Sequence, residues 1–274
     1  MANFWLGPVA SARGYRVFGY DEIGSTSTEA AKAAETGDVG DVWFASLKQT
    51  AGRGRRGRAW ETPSGNLAAS LLLVPDCDPS LAATLGFVAG VALNRALVAA
   101  LPAGAVKQGI DGADGPGHRV ALKWPNDVLA DGAKLAGILL EAHKGPGGRM
   151  AVVIGFGVNV QYAPSGLPYP ATSLRDLGIE ISAETIFAAL TDAWVGAYEA
   201  WAGGRGVGDT LSAWRSFATG IGAEVAVKRE SDVVRGIFES IDDTGRLIVR
   251  ANDNSRIAIS AGDVHFGVTA SVRA

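Results

Sequence analysis

Asp131-Gly132 lies between Val128-Leu129-Ala130 and Ala133-Lys134-Leu135, and it is the tightest constraint on folding in the sequence. The pair is the one most favoured for a two-residue hairpin loop, because both positions tolerate the left-handed backbone such a turn needs. A two-residue loop leaves one register: Ala130 opposite Ala133 and Leu129 opposite Lys134. Asp127 then falls diagonally across from Lys134 on the same face of the ribbon, about 7–8 Å away at the backbone. An aspartate and a lysine on one face of a rigid ribbon are well placed for catalysis. The same spacing also describes an ordinary surface ion pair.

Around this hairpin the hydrophobic pattern predicts a sheet with helices. Strands are expected at residues 15–20, 42–47, 67–74, 119–123, 137–141 and 150–160; the nearly unbroken apolar run at 67–74 suits a strand buried on both faces. Thr26 and Glu29 have capping-box spacing before the alanine-rich run 30–34, which predicts a helix whose positive end could hold a polar or anionic group, or is simply capped. Asp78-Pro79-Ser80 opens a long helix to residue 101, with Leu81, Leu85, Val88, Ala92 and Ala96 as its buried stripe. Residues 182–201 and 209–217 read as two more helices, and the glycine- and aspartate-rich 108–118 as an exposed loop. From Gly222 short alternating segments take over, at 223–229, 233–241, 246–250, 256–260 and 263–266, with turns at Asp243-Thr244-Gly245 and Asn252-Asp253-Asn254. They predict a small antiparallel barrel or curled sheet. The expected class is α+β, with a mixed-sheet domain over residues 1–220 and a small β-domain over 221–274.

Residues 49–60, QTAGRGRRGRAW, carry the chemistry. Arg53, Arg55, Arg56 and Arg58 alternate with glycines before Trp60. Glycines let backbone N–H groups approach a ligand, and guanidinium forks pair with carboxylate or phosphate, so the stretch reads as an anion cradle or a nucleic-acid patch. A formal net charge of −3 makes the arginines a local exception and disfavours a polyanion partner. Gly155 and Gly157 interrupt the last long strand before Asn159; they permit either the close approach of a flat ring such as adenine or tight strand packing. The single Cys77 excludes an internal disulfide, the first ten residues lack a signal-peptide pattern, and the apolar stretch 81–101 is too mixed to span a bilayer. A cytoplasmic protein without membrane or DNA partners is expected. His118, His143 and His265 are too far apart in sequence to suggest a metal centre and are expected on loops or the surface.

QTAGRGRRGRAW, then KWPNDV at 123–128, KLAGILLE at 134–141 and IGFGVN ending at Asn159 closely resemble the bacterial biotin protein ligases, over most of the chain from about Gly24 onward. The resemblance implies a mixed-sheet catalytic domain of the biotin/lipoate ligase type, its sheet of about seven strands, followed by a small C-terminal antiparallel β-barrel. It implies an enzyme that adenylates biotin with ATP and Mg²⁺ and passes the biotinyl group to one lysine of a biotin carboxyl carrier domain, with no dedicated protein metal site; a homodimer is compatible with it. Ser25, Thr26, Ser27, Gln49 and Gly137 would bind biotin, together with Arg53, Gly54 and Arg55 on a loop closing over its carboxylate and the nucleotide phosphate. Lys134 would touch both reacting groups, Arg56 would face the nucleotide, and Trp60 would pack by the adenine with Asn159 nearby. Asn126 and Asp127 would line the site near metal, phosphate and incoming lysine, and the catalytic set would be Lys134, Arg53 and Asp127. Ser27 is a departure, since the family usually has asparagine there. The Ser-Thr motif begins at Ser25, leaving no room for the helix-turn-helix domain of many relatives, so no operator binding is expected.

Two rivals remain. A nucleic-acid module would need more basic residues, whereas Asp41, Glu61 and Asp76 lie near the loop in sequence. A lipoate or octanoate ligase or transferase would share the fold, but a transferase needs a nucleophilic cysteine, and Cys77 lies outside all the motifs.

Overall fold

The Asp131-Gly132 turn forms with both residues in the left-handed region, φ 47° and 81°, and the predicted pairs Ala130–Ala133 and Leu129–Lys134 are present. A computed structural model describes residues 3–108, 117–230 and 232–266. Beyond the turn the register differs from the regular ribbon. Val128 pairs with Ala136 and Asp127 with Gly137, so Leu135 is an extra residue in a β-bulge. Leu135 is fully buried, and drawing it into the core is the local reason for the bulge, which bends the strand and re-aims its neighbours.

The first part of the chain runs α1 (Pro8–Ala12), β1 (Arg16–Tyr20), α2 (Thr26–Glu35), β2 (Val42–Ser46), β3 (Leu67–Leu73), α3 (Pro79–Ala82), α4 (Leu85–Ala100), β4 (Val106–Gln108), β5 (His118–Lys123), β6 (Asp127–Ala130), β7 (Ala133–Lys144), β8 (Met150–Val158), α5 (Ala183–Trp201) and α6 (Val207–Phe217). Its strands make one eight-stranded mixed sheet in the order β1-β2-β3-β8-β7-β6-β5-β4. The eighth strand is β4, paired parallel with β5, at the start of the stretch expected to be a loop. Three residues are too few for a hydrophobic period to register. Residues 109–116 of that stretch lie outside the described residues. Ser25, rather than Thr26, caps α2, accepting from Thr28 N at 3.4 Å, while Glu29 pairs with Lys32 instead of closing a capping box.

The expected helix from Pro79 is interrupted between α3 and α4. There the Thr84 hydroxyl donates to the Leu81 carbonyl at 2.6 Å and accepts the Trp201 indole N–H at 2.8 Å. Residues Pro79–Ala100 reach a mean hydropathy of 1.7 over 18 residues, but that window is 72% buried in the protein, and the segment serves as a core helix. With α5 and α6 it covers one face of the sheet over Leu71, Leu73, Val88, Leu93, Ile154, Leu190, Trp194 and Trp214. The stripe of α5 is core, as its pattern predicts. On the opposite face α2 alone buries Ala30 and Ala34 against Val42, Phe44, Leu72 and Val153.

The remaining strands, β9 (Glu224–Lys228), β10 (Val233–Ile241), β11 (Leu247–Arg250), β12 (Arg256–Ile259) and β13 (Asp263–Phe266), form an antiparallel sheet in the order β12-β11-β10-β9-β13. It is not a closed barrel. β12 and β13, four residues each, are its two edges and do not pair with one another. Its β10–β11 turn docks on the first part of the chain: Trp124 Nε1 donates to Gly245 O at 3.0 Å, and a Cβ on Gly245 would collide with Phe87.

Asp242 organises that turn, accepting from Thr244 N at 2.9 Å, the Thr244 hydroxyl at 2.8 Å, Arg246 N at 2.9 Å and Arg246 Nε at 2.7 Å. Partial burial opposes ionisation, but these donors outweigh it and hold the carboxyl at about 2. Because this lies below the ordinary carboxylate value of about 3.9, the stabilisation is complete above about pH 4 and is lost as pH falls toward 2. Asp242→Asn should flatten the fall of the thermal midpoint between pH 4 and pH 2; an unchanged pH slope would refute this assignment.

Candidate active site

Helix α2 covers only part of its sheet face, and the uncovered part is the floor of a cavity of about 820 Å³. Gly137 of β7 and Gly155 and Gly157 of β8 lie there, beside Ser70 of β3. A Cβ on Gly157 would collide with the Trp60 indole, and one on Gly137 would stand 3.1 Å from it. The flat ring that the strand glycines admit is therefore the chain's own tryptophan, laid against the sheet.

At one end the cavity is polar. Ser25, Thr26 and Ser27 open α2 there. Gln49 Oε1 accepts from Thr26 N at 2.8 Å and from the Thr26 hydroxyl at 3.1 Å. The Ser70 hydroxyl sits 2.8 Å from that of Thr26 and 3.0 Å from that of Ser27. Ser70 is a site residue the sequence did not reveal, although a serine inside the apolar run LAASLLL was an available signal.

The arginine loop folds over the cavity as an irregular hairpin. Ala51 N donates to Gly24 O at 2.8 Å, Trp60 N to Gly52 O at 3.0 Å and Gly54 N to Arg58 O at 2.7 Å, with Arg56 in the left-handed region at φ 57°. Its four arginines divide among three side-chain partners. Arg53 lies 3.5 Å from Glu141, and Arg55 donates to Asn126 Oδ1 at 3.2 Å. Arg56 and Arg58 both contact Asp263 of β13, at 3.3 and 2.6 Å. Burial pulls Arg55 below its ordinary value, and it remains charged at any physiological pH.

Lys134 stands at the centre. Its ammonium is 2.7 Å from Asp127 Oδ1, with the two side chains only 17% and 19% exposed, so this is a largely shielded pair and not the fully solvated surface bridge that its spacing also allowed. The same ammonium lies 5.3 Å from the Trp60 ring centroid and 5.5 Å from that of Tyr169, within reach of both ring faces.

Ser25, Thr26, Ser27, Gln49, Arg53, Gly54, Arg55, Arg56, Trp60, Asn126, Asp127, Lys134 and Gly137 all line this one cavity. Asn159 does not. It is buried, and its amide donates to Thr172 O at 3.1 Å and to Lys134 O at 3.5 Å, so it bonds the backbone at Lys134 rather than facing the space. Cys77 is also away from the cavity, and burial pushes its thiol up. Lys123, Tyr169, Lys228, Asp263, His265 and Phe266 line the cavity without having been expected in the site; the last four arrive from the second sheet, which no motif tied to the site. His265 is thus a site residue and not a loop position. His118 is in a strand too, 2.7 Å from Asp131 and 2.9 Å from Leu177 O. Among the described residues no three His, Cys, Asp or Glu side chains cluster to hold a metal.

The arrangement places cations and an aromatic ring over a glycine floor, with hydroxyls and an amide at one end. Such a site suits an anionic ligand that also carries a polar group.

Comparison with known proteins identifies the family. Residues 35–159 match the Biotin/lipoate A/B protein ligase family, and residues 220–267 the Biotin protein ligase C terminal domain. The chain is 37% identical to a biotin–[acetyl-CoA-carboxylase] ligase of Paracoccus denitrificans, over 89% of this chain and 97% of that protein. It is 36% identical to the Mycobacterium tuberculosis protein of the same name, over 89% of this chain and 86% of that one. The biotin protein ligase of Aquifex aeolicus, solved with biotin and ATP, superposes with a TM-score of 0.73 at 20% identity, covering 92% of this chain and 99% of that one, and so shares the fold. The chain belongs to the biotin/lipoate A/B protein ligase family, in its biotin protein ligase branch.

Proposed function

We propose that this chain is a biotin–[biotin carboxyl-carrier protein] ligase that converts biotin and ATP to biotinyl-5′-AMP and passes the biotinyl group to a lysine of a carboxyl carrier domain. The observation that carries the reading is the convergence of Lys134, Trp60 and the arginine loop on one cavity whose far end is lined by Thr26, Ser27, Gln49 and Ser70. The Ser-Thr-Ser end and Gln49 receive the ureido ring, and Gly137 contributes by letting Trp60 lie close to the sheet beside the ligand. Trp60 packs by the adenine. The hydroxyls of Thr26, Ser27 and Ser70 and the Gln49 amide offer donors and acceptors that a ureido ring can use and a dithiolane ring or alkyl chain cannot, which supports biotin over lipoate or octanoate.

Joining a carboxylate to a triphosphate is opposed by repulsion between them and by the charge that grows as pyrophosphate departs. Positive charge fixed in advance lowers that barrier, by about 3–4 kcal/mol for each well-aimed donor in a water-poor site. Lys134 has this role, oriented by its ion pair with Asp127, and Arg53 and Arg55 act on the carboxylate and phosphate from above. Arg56 supports the nucleotide side. Asn159 acts at one remove, by fixing the backbone of Lys134. Mg²⁺ bound with the nucleotide would find Asn126 and Asp127 as the oxygen donors on the cavity wall. When bound, it would neutralise charge on the phosphates. In the second step Asp127 orients or deprotonates the incoming lysine.

We divide the chain functionally into residues 1–220 as the catalytic domain and 221–274 as a small domain that closes the cavity from one side. A cytoplasmic setting is consistent with the single unpaired Cys77.

Lys134→Ala should lower the rate of biotin-dependent pyrophosphate release by about 10²–10³-fold while leaving biotin affinity within a fewfold; normal turnover would remove Lys134 from the mechanism. Asp127→Asn should slow transfer from preformed biotinyl-5′-AMP more than it slows adenylation, and equal losses would restrict Asp127 to orienting Lys134. Gly157→Ala should displace the Trp60 ring and raise KM for ATP by about 3–10-fold with little change for biotin, read from steady-state kinetics. Parallel pyrophosphate-release assays with biotin, lipoate and octanoate test the substrate; preference for either fatty acid would overturn the reading.

A further inference from the structure

Asn66 directly precedes β3, is buried at 2% exposure and does not line the cavity, yet both polar atoms of its side chain are spent on the segment that leaves β8. Oδ1 accepts from Val160 N at 3.0 Å, Gln161 N at 2.9 Å and Tyr162 N at 3.0 Å, and Nδ2 donates to Tyr162 O at 2.7 Å. Successive N–H groups of an extended strand point to opposite sides, so three that meet on one oxygen turn the chain off the line of β8. Flipping the amide would set its own donors against three others, which fixes its orientation. Gly65 lets the two segments approach: its φ is 97°, and a Cβ there would stand 2.8 Å from Gln161 Cγ.

The segment that starts at this bend ends on the backbone of Lys134. Lys134 N donates to Pro170 O at 2.9 Å, and Thr172 N donates to Lys134 O at 3.0 Å. Between the two anchors, Leu167, Pro168, Tyr169 and Pro170 line the cavity. The Tyr169 ring centroid is 5.5 Å from the Lys134 ammonium, which has the Trp60 ring at 5.3 Å. Burial does little to fix this wall, because Tyr162 is 50% exposed and Leu167 and Tyr169 are 38% exposed. Its position therefore depends on its anchors, and on Pro164, Pro168 and Pro170, which limit the backbone between them.

Resting on the ligase reading above, we infer that Asn66 is a positioning residue for adenylation: it sets residues 161–170 so that the Tyr169 ring confines the Lys134 ammonium to one place beside Asp127. A lysine carries its charge on a flexible four-carbon stem, and a charge fixed in advance stabilises the transition state more than one that must be gathered there. The ion pair with Asp127 restrains the ammonium from one direction, and the ring face restrains it from another. Asn66 touches none of the reacting groups and acts through Tyr169.

A double-mutant cycle on the full chain tests this. Asn66→Ser is too short to gather the three N–H groups, whereas Asn66→Asp keeps an oxygen for them and loses only the donor to Tyr162 O. Asn66→Ser and Tyr169→Leu should each lower kcat of biotin-dependent pyrophosphate release about 3–10-fold, with KM for biotin within about twofold. Asn66→Asp should recover most of the loss. In the Tyr169→Leu background Asn66→Ser should cost less than about twofold more, because the ring it positions is already gone. Hydrogen exchange without ligand should quicken at residues 160–170 and stay slow in β3, which shows that the Asn66 variants are folded. Wild-type turnover in Tyr169→Leu, or in folded Asn66→Ser, would overturn the inference. So would an equal loss from Asn66→Ser with and without the Tyr169 ring, the result of a merely structural role. The ligase reading fails separately, if the wild type releases no pyrophosphate from ATP on addition of biotin.

Discussion

Helix α2 has ten residues and packs on a sheet of eight strands, so it cannot cover the whole of the face it lies on. On the other face α4, α5 and α6 bury the sheet continuously. The asymmetry makes the site. Where α2 ends, the sheet presents Gly137, Gly155, Gly157 and Ser70 instead of large apolar side chains, and Trp60 comes from a loop to lie on the bared backbone. A sheet face left uncovered would ordinarily be a liability. Here it is narrowed by an indole above, polar helix-terminal groups at one end and a second sheet at the other.

The charges follow from that geometry. Next to the bulge that buries Leu135, Lys134 pairs with Asp127, which orients the ammonium without cancelling the cationic surplus around it. The loop arginines are spread among Glu141, Asn126 and Asp263. Partly exposed pairs of this kind are worth about 0–1 kcal/mol each. They can order the loop in the absence of ligand and yield to a carboxylate or phosphate that bonds the same guanidinium groups more strongly. Asp263 belongs to β13, so the loop's position and the second sheet's position are coupled through one carboxylate.

Much of this was legible before any coordinates. The Asp131-Gly132 turn is encoded by backbone preferences of two residues, and the core stripe of α5 by a period of 3.6, so both were readable locally. The placement of Ser25, Gln49, Arg53, Trp60 and Lys134 in one cavity was readable only because their motifs resemble a family. Short elements and junctions were not readable. β4 has three residues, the break before α4 depends on a hydroxyl meeting Trp201, and the β13 edge leaves the second sheet open.

The sequence by itself determined the longer strand and helix segments, the hairpin register at Ala130–Ala133 and the concentration of cations in one loop, because each depends on neighbours within a few positions along the chain. Only the tertiary structure decided that Leu135 bulges inward, that the ring over Gly157 is Trp60, that Asn159 bonds the Lys134 backbone from outside the cavity, and that Lys228, Asp263 and His265 join the site. Those outcomes depend on which surfaces are brought together when two sheets and their helices pack, and burial across that distance leaves no periodic trace in the chain.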